Sequence, residues 1–139
     1  MERYYIGVDL GGTNIAVGIV DKDGVIIYKK STPTNLPQPE DVIENKIADL
    51  CREVCADKGM TLGKEIDFVG VGTPGIVNNQ TGVVAFNANF GYENWHLKEK
   101  LEANLGVTVG VENDANAAII AEVVAGCAKG CSDAVILTL

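Results

Sequence analysis

The stretch Asp9-Leu10-Gly11-Gly12-Thr13-Asn14 decides how the rest of this chain is read. Before it, Tyr4-Tyr5-Ile6-Gly7-Val8 is a run without alternating polar partners, the pattern of a strand buried on both faces. Ile15-Ala16-Val17-Gly18-Ile19-Val20 follows at once, so the two glycines fall at a hairpin turn. Gly11 and Gly12 are expected to take positive φ and present their N–H groups outward, with Thr13 adding a hydroxyl donor. Such a turn can cradle an anion, and Asp9 at its edge suits a hydrated Mg²⁺ beside that anion. An ordinary tight hairpin capped by its Asp fits these six residues equally well.

Outward from the hairpin, Asp21-Lys22-Asp23-Gly24 is a turn cluster and Val25-Ile26-Ile27-Tyr28 begins a third strand, giving an antiparallel meander. Ser31 to Pro39 holds three prolines and reads as a loop. Ile43, Ile47, Leu50 and Val54 then share one face of a helix expected from near Pro39 to just before Gly59. Residues 66–72 read as a strand broken by Thr73-Pro74-Gly75, since Pro cannot donate to a ladder. Residues 76–77 and 83–85 flank a hairpin turn, whereas Phe86 to Trp95 shows no regular period. Leu97, Leu101 and Leu105 mark a short helix, and Val107 to Val111 another strand. A long apolar helix is expected from Ala115 to about Ala128, then a strand from Ala134 to Leu139. A buried apolar strand at the very end either pairs at a sheet edge or marks the chain as a fragment, and the fragment is the expectation.

With 139 residues, 47% apolar and 22% charged, the chain can build one domain with a real core. Nothing approaches the roughly 18 consecutive apolar residues of a membrane span, and the amino terminus lacks a signal-peptide pattern, so cytoplasm is the expected compartment. The net charge of −8 comes from 19 acids against 11 scattered Lys and Arg, which excludes a phosphate-neutralising patch and argues against a nucleic-acid partner. Cys51/Cys55 and Cys127/Cys131 form two i,i+4 pairs far from the single His96, and reduced, mostly packed thiols fit better than a metal site.

Three loops leave the carboxyl ends of core strands, around Asp9–Asn14, Gly72–Gly75 and Glu112–Asn116, and in sheets of this kind such loops face one crevice. Asn113 and Asp114 stand where a strand meets a helix, the usual place of an N-cap. An Asp there could also accept the proton of a hydroxyl nucleophile while Asn113 orients neighbouring hydroxyls. Asn87, Asn89, Tyr92, Asn94 and Trp95 combine amides with rings, which suits a polyhydroxylated ligand; an Asn-rich loop anchored by Trp95 is the plainer reading.

Taken together, Asp9-Leu10-Gly11-Gly12-Thr13-Asn14, Gly72-Thr73-Pro74-Gly75 and Glu112-Asn113-Asp114-Ala115-Asn116-Ala117-Ala118 resemble the amino-terminal half of a ROK-family sugar kinase, on its bacterial glucokinase side. The resemblance implies an α/β fold: an actin-like ATPase (ribonuclease-H-like) lobe with a five-stranded mixed sheet flanked by helices. It implies residues 1–131 as that lobe and 132–139 as the start of the first strand of a carboxyl-terminal lobe. ATP phosphates would face Asp9, Gly11, Gly12, Thr13 and Asn14, with Asp9 holding Mg²⁺ through water. Gly75, Asn89, Asn113 and Asp114 would bind the sugar, and Asp114 would be the catalytic base for its 6-hydroxyl, glucose being the expected hexose.

The family's zinc motif is expected only in the second half, and the Cys127/Cys131 pair does not match it. Asn14 stands where many members carry Lys, so a phosphate-directed charge is missing. Some relatives are repressors with an amino-terminal helix-turn-helix domain; a first strand beginning by Tyr4 leaves no room for one and favours the kinase. The partners implied are a hexose and ATP, with no nucleic acid or membrane, in a homo-oligomer. A sugar-binding or regulatory module without kinase activity is the alternative.

Overall fold

The computed structural model describes residues 1–137. Strand β1 (Tyr4–Leu10) turns through residues 11–13 into β2 (Asn14–Val20), pairing Gly7 with Gly18 and Leu10 with Ile15. Asp21 Oδ1 accepts the N–H groups of Asp23 and Val25, both at 2.9 Å, and closes the next turn into β3 (Ile26–Pro33). The expected meander is therefore present, but β3 runs beyond Tyr28 through residues read as loop. It is an edge strand, where a terminal proline costs no ladder bond.

Helix α1 (Glu40–Asp57) starts after Pro39 with Glu40 and Asp41 in its first turn, where acids complement the helix dipole. It ends before Gly59, whose φ of 66° supplies the left-handed residue that helices commonly need there. β4 (Ile66–Thr73) returns to the sheet parallel to β1. A separate three-stranded sheet follows, made of β5 (Ile76–Asn78), β6 (Val83–Asn87) and β7 (Tyr92–Trp95). α2 (Leu97–Leu105), β8 (Thr108–Asn113) and α3 (Asp114–Ala125) complete the elements.

The main sheet has the order β3-β2-β1-β4-β8, mixed in direction as expected. One face is a conventional core. Ile6, Val8, Ile15, Val17, Val69, Val71 and Val109 are buried there together with the apolar stripes of α1 and α2. The other face differs from the sequence reading, because the strands are not buried on both sides. Gly18, Gly7, Gly70 and Gly110 lie side by side in register on β2, β1, β4 and β8. Where a core strand would project side chains, these four project none. Two residues further along, Ala16, Asp9, Gly72 and Glu112 form the next row on that face. α3 crosses here, with Ala117 Cβ 3.8 Å from where a Cβ on Gly72 would stand.

The end of the chain also departs from expectation. α3 stops at Ala125 rather than near Ala128, and Ala134 to Leu137 form no strand. Thr138 and Leu139, the rest of that expected strand, lie outside the described residues. Among the described residues no helix is long and apolar enough to cross a membrane.

Candidate functional site

The turn after β1 is fastened from outside. Its Gly11 N–H donates to the Asn14 carbonyl at 3.0 Å, and Thr34, fully buried, donates its hydroxyl to the Gly11 carbonyl at 2.7 Å and its N–H to the Thr13 carbonyl at 2.8 Å. Lys46 Nζ in turn donates to the Thr34 carbonyl at 2.8 Å. Contrary to the sequence reading, neither Gly11 nor Gly12 has positive φ. Gly11 is required for a different reason: a Cβ there would stand 2.8 Å from the Asn14 carbonyl oxygen. Its N–H is spent within the turn, so Gly12 and Thr13 are the amides the turn can present to an anion. Nothing local in the sequence signalled Thr34, which lies between prolines.

At the ends of β4 and β8 the side chains are organised by asparagines. Asn113 is the N-cap of α3: its Oδ1 accepts from Ala115 N at 3.0 Å and Asn116 N at 3.2 Å. Its Nδ2 donates to the Gly75 carbonyl at 2.9 Å, leaving one N–H for a ligand. Gly75 has φ 110° and a Cβ there would come within 2.4 Å of the Phe86 carbonyl, so no other residue fits. Asp114, the next residue, is exposed and accepts from Ala115 N at 2.8 Å through one carboxylate oxygen.

The sheet β5–β7 docks onto these strand ends through Asn87. That side chain is fully buried, donates to the Pro74 carbonyl at 2.8 Å, and accepts from Asn89 N at 3.0 Å and Phe90 N at 3.3 Å. Asn87 therefore positions the loop and is not itself open to a ligand. Asn89 is open, and its amide nitrogen lies 3.5 Å from the point a Cβ on Gly12 would occupy. Tyr92 and Trp95 are core residues: their rings pack 5.0 Å apart, and Trp95 Nε1 donates to Glu44 at 2.7 Å. The plainer reading of Trp95 as an anchor is the one the structure bears out. Its ring is spent on packing rather than on covering a ligand.

The ends of β1, β4 and β8 meet at one place. An open cleft of about 740 Å³ lies on the glycine face and is lined by Asp9, Gly72, Asn79, Glu112, Asp114 and Ala117 among others, whereas Gly11, Gly12, Thr13, Asn14, Gly75, Asn89 and Asn113 do not line it. Asp9 and Glu112 sit two strands apart with only Gly72 between them, about 10 Å at twice the strand spacing. The Glu112 carboxyl is held below its ordinary value mainly by the Asn79 amide; partial burial opposes this, while Asn113 N–H and the Asn116 amide add to it. Among the described residues no three His, Cys, Asp or Glu side chains gather into a metal cage. Exposed carboxylate oxygens beside free backbone amides suit Mg²⁺ held by one carboxylate plus a phosphate, since Mg²⁺ keeps most of its waters and takes few protein ligands.

Comparison with known proteins bears on the chain as a whole. A family model described as the ROK family matches residues 5–139. A glucokinase of Streptomyces coelicolor is 42% identical over 134 residues, which are 96% of this chain and 40% of the relative. A glucokinase of Thermotoga maritima is 37% identical over 137 residues, covering 96% of this chain and 41% of the relative. The crystal structure of a ROK family glucokinase from Streptomyces griseus in complex with glucose and AMPPNP superposes with a TM-score of 0.80 at 35% identity, covering 91% of this chain and 38% of that one. The chain thus spans about two fifths of the length of the curated relatives it matches.

Proposed function

We propose that this chain, which belongs to the ROK family, supplies the amino-terminal lobe of an ATP-dependent hexose kinase, with glucose the expected sugar and residues 1–131 as the lobe. The observation that carries the proposal is the meeting of three strand ends on one cleft, with Asp9 and Asp114 both lining it. The similarity to a glucokinase bound to glucose and AMPPNP supports the choice of ligands.

In this reading Asn89, the remaining N–H of Asn113 and the Gly75 turn orient the sugar hydroxyls. Asp114 accepts the proton of the 6-hydroxyl as its oxygen bonds to the γ-phosphorus of ATP, and ADP leaves with the electron pair of the broken P–O bond. Gly12, Thr13 and Asn14 face the phosphates as neutral donors. Asp9 would hold Mg²⁺ through water, and the ion when bound neutralises phosphate charge. Exposed carboxylates cannot exclude water alone, so closure by the rest of the polypeptide completes the site.

The test uses the full-length polypeptide that carries these residues. With ATP and Mg²⁺ it is offered glucose, mannose and N-acetylglucosamine, and phosphorus NMR follows the products. A sugar 6-phosphate and stoichiometric ADP are expected, with glucose turned over fastest. Tight sugar binding by calorimetry without phosphate transfer to any hexose would replace the kinase with a sugar-responsive regulatory module.

A further inference from the structure

Glu112 has no part in the reaction just described, yet its carboxylate is the most heavily engaged acid in the cleft. Oε2 accepts from Asn79 Nδ2 at 2.8 Å. Oε1 accepts from Asn113 N at 2.8 Å and from Asn116 Nδ2 at 3.4 Å. Both oxygens are therefore occupied, which distinguishes Glu112 from Asp9 and Asp114, neither of which has a partner outside its own or the adjoining residue. Glu112 is also not needed as a helix cap, because Asn113 already fills that place.

What Glu112 joins is informative. Asn79 lies in the turn between β5 and β6, 33 residues away in sequence, on the sheet that carries Asn87 and Asn89. Asn113 and Asn116 belong to the start of α3, beside Asp114. The root of the β5–β7 sheet is fixed at Pro74 and Gly75 by Asn87 and Asn113. The cleft-facing turn is fixed to β8 through Asn79. A hydrogen bond to a carboxylate is short and strong, and one carboxylate accepting from both elements sets the distance between them.

We infer that Glu112 is a positioning residue: its carboxylate latches the β5–β6 turn to the start of α3 and so holds Asn89 in register with Asp114. The inference rests on the kinase reading, within which Glu112 acts on sugar placement through Asn79 and touches neither sugar nor phosphate.

The experiment compares Glu112→Ala, Asn79→Ala, the double variant and Glu112→Gln in the full-length polypeptide, with KM for the sugar, kcat and the melting temperature measured for each. Each alanine variant should raise KM for the sugar roughly tenfold, the fold-change of losing one hydrogen bond to a charged group, with a much smaller change in kcat. The double variant should be no worse than either single one, because both break the same link. Glu112→Gln should restore most of the KM, since its side chain can still bridge to an Asn79 amide turned about its own bond. Glu112→Gln as impaired as Glu112→Ala, with an altered Mg²⁺ dependence, would overturn the latch in favour of a charge role. Asn79→Ala with unchanged KM would overturn it too.

Should the wild-type polypeptide phosphorylate no hexose, the kinase reading falls and the latch is read by hydrogen exchange. Glu112→Ala should then speed exchange of the β5 and β6 amides while Glu112→Gln does not, and unchanged exchange in Glu112→Ala would refute it.

Discussion

A single side chain, Asn87, shows how much of this site is settled by hydrogen-bond inventory. An amide has two donor and two acceptor positions, and Asn87 uses them to join the Pro74 carbonyl to the backbone of Asn89 and Phe90. A ligand contact would have to displace one of those bonds in a buried place, where an orphaned group is costly. Gly11 makes the complementary point. The sequence marked it as a glycine position, but a Gly-Gly pair looks the same whether it is chosen for positive φ or for the close approach of a carbonyl. Here it is the second, 2.8 Å from the would-be Cβ to the Asn14 oxygen. Gly11→Val in the full-length polypeptide should therefore displace the turn and weaken nucleotide binding at least tenfold by calorimetry, with glucose affinity within about twofold of wild type. Normal nucleotide affinity would remove the turn from the phosphate site.

Among the elements, those held by apolar periodicity were legible in the sequence and those held by pairing were not. α1 and α2 follow from Ile43, Ile47, Leu50 and Val54 and from Leu97, Leu101 and Leu105, all buried as the helical period requires. β3 continues through Lys29, Lys30, Ser31 and Thr32 because β2 pairs with it along its length, which no side chain announces. β7 hides its inner residues three apart, Tyr92 and Trp95, with Asn94 at φ 50° between them, so a search for period two passes over it. The cysteines divide along the same line. Cys51 and Cys55 lie on the buried stripe of α1, and burial pushes the Cys51 thiol up to about 12; Cys127 and Cys131 lie beyond α3 and are exposed, so only the first pair is packed as expected. Brief alkylation of the native protein followed by peptide mapping should label Cys127 and Cys131 and spare Cys51 and Cys55 until denaturant is added. Equal labelling of all four would mean that α1 does not dock as described.

Across the whole molecule the sheet has one finished face and one left open by its glycines. The row Gly18, Gly7, Gly70, Gly110 could be found in the sequence only by knowing the register, since the four residues come from four separate strands. The same register sets Asp9 beside Gly72 and Gly72 beside Glu112, so the glycine at the centre gives the acids on either side a common cleft. The convergence of three strand-end loops was legible because strand ends are marked by polar and glycine residues. The division of labour within them was not, because Asn87, Asn113 and Glu112 are distinguished only by partners distant in sequence. The central claim is that this cleft is where a hexose meets ATP, with Asp114 as the base. It is tested most directly by single-turnover phosphorylation of glucose in the full-length polypeptide, comparing Asp114→Asn with wild type at saturating ATP and Mg²⁺. The account predicts a rate lower by roughly 10²–10⁴-fold, the usual loss for a positioned base, with glucose affinity within about twofold of wild type. A rate for Asp114→Asn close to that of wild type would contradict it.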